Sequence, residues 1–128
     1  MKLRIRGNSI RLRLGQSEVR RLRTAGIVEE FTAFGPSKKQ HFGYSLCAST
    51  TELDVSASFV DQRIVVGVPA DIIHRWATTD QISIHGLQHT GEGDLQILIE
   101  KDFECLEAPS DESQEDAFPH PHPCEAIA

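Results

Sequence analysis

The sequence predicts a mainly β protein with two short helices, an α+β chain of two ββαββ units followed by an acidic tail. Three observations carry this. Apolar and polar residues alternate in short runs, as half-buried strands require. Two stretches, Gln16 to Ala25 and Ala70 to Thr79, replace alternation by apolar residues three or four apart. The order strand, strand, helix, strand, strand occurs twice.

The first run, LRIRGNSIRLRL from Leu3 to Leu14, reads as a hairpin with a two-residue turn at Asn8-Ser9 and Gly7 beside it. Leu3, Ile5, Ile10, Leu12 and Leu14 share one face; Lys2, Arg4, Arg6, Arg11 and Arg13 share the other. That turn pairs Arg6 with Arg11, Arg4 with Arg13, Ile5 with Leu12 and Leu3 with Leu14. A one-residue slip would mix the faces, so the pattern selects against it. Like charges opposite each other destabilise a sheet, so five cations on one small face call for an anion nearby. Phosphate and the chain's own acidic tail are the two alternatives.

Gln16 to Ala25 is a helix with Ser17 as N-cap, a stripe of Val19, Leu22 and Ala25, and Gly26 just past its end. Ile27 to Phe34 is a strand with Val28, Glu30 and Thr32 on one side. Gly35-Pro36-Ser37 turns the chain, and His41 to Ala48 returns with Phe42, Tyr44 and Leu46 on one face. The second half opens with Leu53, Val55, Ala57 and Phe59 alternating, a turn at Val60-Asp61-Gln62, and Ile64, Val66 and Val68 in reply. Pro69 suits the first turn of the helix bearing Ile72, Ile73 and Trp76. Gln81 to His85 is a strand, Thr90 to Asp94 a hairpin loop, and Leu95 to Glu100 the last strand, with Leu95, Ile97 and Ile99 inward.

The halves align with an offset of 54. Ile10, Leu12 and Leu14 fall on Ile64, Val66 and Val68; Val19 and Leu22 fall on Ile73 and Trp76; Val28 falls on Ile82. With an offset of 53, Phe42, Tyr44 and Leu46 meet Leu95, Ile97 and Ile99. Shared order and apolar register indicate an internal duplication. Residues 1–107 then form one β-rich domain, with repeat one at 1–48 and repeat two at 53–101. Residues 108–128, rich in Ser, Asp, Glu, Pro and His, form an extended tail.

At 128 residues the chain is long enough to bury a core as a single domain. No apolar run is long enough to cross a membrane, and the basic start lacks the apolar segment of a signal peptide. Cys47, Cys105 and Cys124 are too few and too scattered for a disulfide framework. A reduced, cytoplasmic protein is the expectation. The net charge of −6 conceals a polarity, because the first 23 residues carry eight cations against Glu18 alone, a local +7. Such polarity points to a polyanion partner or to pairing of head with tail.

Leu3 to Glu30 resembles the SpoVT/AbrB/MazE-like swapped-hairpin domain. The resemblance is carried by Gly7-Asn8-Ser9, the alternation Ile10 to Leu14, the helix with Leu22, and Gly26 with Val28-Glu29. Arg63 to Pro69, its helix and Asp80-Gln81-Ile82 look like a second, degenerate copy; Pro69 stands where the family commonly has proline, and Gly15 replaces it in the first copy. The resemblance implies a swapped-hairpin-like barrel closed as a pseudo-dimer within one chain, with DNA bound through basic hairpin residues. By position these are Arg4, Asn8, Ser9 and Arg13, with Arg6 and Arg11 beside them. The second hairpin departs from the pattern, offering only Arg63 and carrying Asp54 and Asp61. The whole chain, with its DFECL segment and DAFPHP tail, also resembles an uncharacterised bacterial family, and that resemblance implies no activity.

The expected function is that of a DNA-binding AbrB/MazE-like regulator or antitoxin-type module using the Arg-rich hairpin. The alternative is a non-enzymatic protein-interaction or assembly module of the same fold that does not bind DNA. Duplex DNA or an acidic or toxin-like protein is the expected partner, with the chain a monomeric pseudo-dimer or a homodimer. A weaker alternative is a metal-binding accessory protein using Cys105, His120, His122 and Cys124. Soft sulfur with imidazole suits Zn or Cu, but the proline-interleaved spacing is not that of a structural zinc site. No nucleophile elbow or phosphate-cradling glycine loop is present, so neither an enzyme nor a cofactor is expected. His74, beside Trp76, reads as a helix-surface or packing residue.

Overall fold

The opening hairpin forms, but it turns one residue earlier than its sequence suggests. In the computed structural model, which describes residues 1–103, 116 and 118, β1 (Lys2–Arg6) and β2 (Ser9–Leu14) are joined by Gly7 and Asn8. Arg6 faces Ser9, Ile5 faces Ile10, Arg4 faces Arg11, Leu3 faces Leu12 and Lys2 faces Arg13. The expected pairs, Arg6 with Arg11 and Arg4 with Arg13, are therefore displaced by two positions. Glycine decides the turn. Gly7 takes φ +55° at the first central position, which a type II′ turn needs there and which costs glycine little. The Ser9 hydroxyl donates to the Arg6 carbonyl at 2.6 Å across it. A shift of two preserves parity, so cations and apolar residues still part onto opposite faces.

The chain continues through α1 (Gln16–Ala25), β3 (Ile27–Ala33), a 3-10 turn (Lys38–Gln40), β4 (His41–Ser49), β5 (Ser56–Val60) and β6 (Arg63–Pro69). α2 (Ala70–Thr78), β7 (Ser83–His89) and β8 (Asp94–Lys101) follow. Gly26 closes α1 in the left-handed conformation, its N–H donating to the Leu22 carbonyl at 3.0 Å. The start of α1 differs from expectation, since its N-cap is Gly15 and not Ser17. Glycine has no capping side chain, and carboxylates supply the acceptors. Glu18 takes the Gly15 N–H at 3.0 Å, and Asp116, brought in from the tail, takes the Ser17 N–H at 3.0 Å and its hydroxyl at 2.8 Å. A Cβ on Gly15 would collide with Asp116.

The eight strands of the described residues form two four-stranded sheets, ordered β1-β2-β8-β7 and β3-β4-β6-β5. Each sheet has a parallel central ladder, β2 with β8 and β4 with β6, flanked by antiparallel pairs. The first hairpin of each half thus pairs with the last hairpin of the other half. The two central ladders also share a register under the offsets legible in the sequence. Ile10 lies beside Ile97 and Leu12 beside Ile99; their counterparts Ile64 and Val66 lie beside Tyr44 and Leu46. One strand breaks the expected offset. Val28 is matched by Ile84, not by Ile82: Val28 and Ile84 are buried, whereas Ile82 is 44% exposed. Two extra residues between α2 and β7 absorb the difference, where the first half ends its helix directly on Gly26.

No ladder joins the two sheets among the described residues, so the expected barrel is not closed. Side chains bridge the gap instead. Gln88 of β7 accepts from the Ala57 N–H at 2.7 Å and donates to the Ala57 carbonyl at 2.9 Å, copying a neighbouring strand for β5. Between the sheets and under the helices, Leu12, Leu14, Leu22, Leu46, Val66, Val68, Trp76 and Ile99 are fully buried. The Trp76 indole donates to the Ile82 carbonyl at 2.9 Å, satisfying the polar atom that its burial would otherwise strand. Lys101 is buried at the end of α2, donating to the Thr79 carbonyl at 2.7 Å and lying 5.8 Å and 5.5 Å from the ring centres of Trp76 and Phe118. Burial lowers its pKa, and Asp80 partly opposes that.

Candidate nucleic-acid interface

Alternation along β1 and β2 sends Lys2, Arg4, Arg6, Arg11 and Arg13 to the side of their sheet away from the core. The ladders continue that face across the other two strands. One row runs Arg4, Arg11, Leu98, His85; the next runs Lys2, Arg13, Glu100, Ser83; the third runs Arg6, Ser9, Gln96, Leu87. Arg4 directly opposes Arg11 and Lys2 directly opposes Arg13, an arrangement that destabilises an antiparallel pair.

Part of that repulsion is offset by β8. The Glu100 carboxylate accepts from Arg13 Nε at 2.7 Å and lies 3.7 Å from Arg11 Nε. Asp102, just beyond the strand, lies 3.1 Å from Lys2 Nζ. Arg4 and Arg6 are different. Both are exposed, and among the described residues neither has a carboxylate within ion-pair distance. Together with Ser9 and Arg11 they line a hollow of about 110 Å³. A second hollow of about 360 Å³, lined by Lys2, Leu3, Arg4, Arg11 and Arg13, continues along the same face.

The predicted site residues therefore divide. Arg4, Arg6, Arg11 and Arg13 share one face, whereas Asn8 is engaged elsewhere: its side-chain amide donates to the Asp94 carbonyl at 2.8 Å, tying the turn to the start of β8. The Ser9 hydroxyl is engaged with the Arg6 carbonyl. In the second half, Arg63 is held by Glu29 at 2.8 Å and stacks 4.8 Å from the ring centre of Phe31. Residue-by-residue reading missed Glu100, Gln96 and His85 on this face. No local signal marks them: the offset matches the last strand to His41–Ser49, and only the parallel ladder places it beside β2.

Asp116 lies at the N-terminus of α1, with its backbone carbonyl accepting from Gln16 N at 2.8 Å. Asp111, Glu112 and Glu115 lie outside the described residues, as do the metal candidates Cys105, His120, His122 and Cys124. Among the described residues no group of three or more metal-ligating side chains converges.

A cleft of about 440 Å³ opens between the two sheets. It is lined by Ile5, Ile10, Phe42, Phe59, Ile64 and Leu95, which fall into matched pairs under the same offsets: Ile5 with Phe59, Ile10 with Ile64, Phe42 with Leu95. Ile5 is 57% exposed and Phe59 67% exposed.

No helix among the described residues is long and apolar enough to cross a membrane. No curated protein and no solved structure matches this chain. A family model does, over residues 1–122, and by that match the chain belongs to DUF7009, a family of unknown function.

Proposed function

We propose that this chain is a non-enzymatic, DNA-binding module of the AbrB/MazE-like swapped-hairpin type, a regulator or antitoxin-type protein that contacts phosphates through the outer face of β1 and β2. The carrying observation is the pair of exposed guanidinium groups, Arg4 and Arg6, standing beside Arg11 with no carboxylate partner among the described residues. Guanidinium forks match phosphate oxygens in geometry and charge. The exchange of hairpins between halves, in matching register, supports reading the chain as an internal duplication folded as a pseudo-dimer.

The face is one-sided, so few phosphates are reached and affinity is modest. Two to three contacts give a slope of log K against log salt of about −2 to −3. Titration of the full chain against random duplex DNA across a salt series tests this. Arg4→Ala with Arg6→Ala is expected to flatten the slope by about two units. Absence of binding by the unaltered chain at low salt would remove the DNA reading.

A second reading has its own observation. The apolar cleft with exposed Ile5 and Phe59 suits an apolar side chain of a protein partner, as a protein-interaction or assembly module of this fold would require.

A further inference from the structure

We propose that the Glu100 carboxylate is a resident anion occupying a second phosphate position on the basic face, so that neutralising it extends the site from Arg4 and Arg6 to Arg11 and Arg13. The proposal rests on the phosphate-binding reading above and deepens it by saying what limits the site.

Glu100 reaches the face because β8 pairs in parallel with β2, placing it beside Arg13 in the ladder. Its side chain is only 16% exposed. One oxygen, Oε1, faces both guanidinium groups, 2.7 Å from Arg13 Nε and 3.7 Å from Arg11 Nε. A carboxylate and a phosphate oxygen accept from a guanidinium in the same way, so the position that Glu100 fills is one that a phosphate oxygen would take. On the other sheet the counterparts of Arg11 and Arg13 are Val65 and Gly67, and the ladder position of Glu100 holds Cys47. The carboxylate on that side comes from a different element: Glu52, in the loop before β5, accepts from the Ser56 hydroxyl and lies against Gly67. Glu100 thus divides the basic face into an occupied end at Arg13 and an open end at Arg4 and Arg6, with Arg11 between them.

The full chain, unaltered and as Glu100→Gln, should be titrated with two probes, a 20-base-pair random duplex and tripolyphosphate, across a salt series, with circular dichroism as the folding control. Glutamine keeps the shape and removes the charge. Glu100→Gln is expected to bind both probes about tenfold tighter near 0.1 M salt, with a slope steeper by about one unit, and Arg13→Ala added to it should cancel the gain. Tighter tripolyphosphate binding without any duplex binding would sustain the resident anion and remove the DNA reading. A folded Glu100→Gln chain binding neither probe more tightly overturns the proposal. Should that variant fail to fold, the arginine Nε–H resonances of the unaltered chain decide. On adding tripolyphosphate those of Arg4 and Arg6 are expected to move while that of Arg13, held by Glu100, stays in place, and an Arg13 shift as large as theirs overturns the proposal.

Discussion

The two sheets of this molecule have the same strand order, the same central parallel ladder and the same register, yet opposite surfaces. Lys2, Arg4, Arg6, Arg11 and Arg13 on one correspond to Ser56, Ser58, Val60, Val65 and Gly67 on the other. Arginine is therefore not required by the ladder. The two edges are also protected differently. β1 and β5 are both edge strands; β1 carries the cations, whereas β5 has neither lysine nor arginine and has the Ala57 backbone covered by Gln88. What the first sheet gains is a concentrated positive field, obtained against like-charge repulsion that the second sheet avoids. The proposed binding role would account for that difference, which can be broken or sharpened from the core outward.

The largest effect lies where the halves should be alike. Leu22 in α1 and Trp76 in α2 occupy matched, fully buried positions. Trp76→Ala is expected to lower unfolding free energy by about 3–5 kcal/mol and Leu22→Ala by about 2–5 kcal/mol. Because strands from both halves share each sheet, urea unfolding of the Leu22→Ala chain should remain a single transition, coincident by far-ultraviolet dichroism and by the fluorescence of Trp76, the one tryptophan of the sequence. Two separate transitions would mean that the halves are independent and that their comparison is one of neighbours, not of parts of one core.

A smaller effect lies where the halves differ. α2 begins behind Pro69 without a side-chain cap, while α1 takes its acceptor from Asp116. Asp116→Ala should lower stability by about 1 kcal/mol, the usual worth of a cap. Gly15→Ala should match it, since the new Cβ takes the space that Asp116 fills. No change in thermal unfolding for either variant would show that this contact contributes nothing to stability in solution.

How much of this was legible beforehand follows from what is local. Alternation and helical spacing are written into consecutive residues, so the strands, the helices and the segregation of Arg4, Arg6, Arg11 and Arg13 from Leu3, Ile5 and Leu12 could be read directly. The turn was misplaced because Asn8-Ser9 and Gly7-Asn8 both preserve parity, and only the positive φ of Gly7 separates them. β7 was offset because the chain after Thr78 has no glycine to mark the helix end as Gly26 does. The pairing of β2 with β8 leaves no local trace at all. Arg13 and Glu100 lie 87 residues apart in sequence, and their contact at 2.7 Å is a product of topology alone. For that reason the cations of the site could be named in advance and the anion that accompanies them could not.

The most direct test of the comparison converts one surface toward the other. Arg4→Ser with Arg11→Val places on the first sheet the residues found at the matched positions of the second, Ser58 and Val65. The opposed guanidinium pair is removed, Arg13 keeps Glu100 as its partner, and valine is favoured in a strand. Stability in low salt is expected to rise by about 0.2–1 kcal/mol, the scale of one cross-strand pair, and the gain should shrink as added salt screens the original repulsion. Chemical unfolding at two salt concentrations measures both. A loss of more than about 1 kcal/mol would place Arg4 and Arg11 among the groups that hold the sheet together. The contrast between the two surfaces would then describe two ways of stabilising one ladder, and the arginines would need no ligand to explain them.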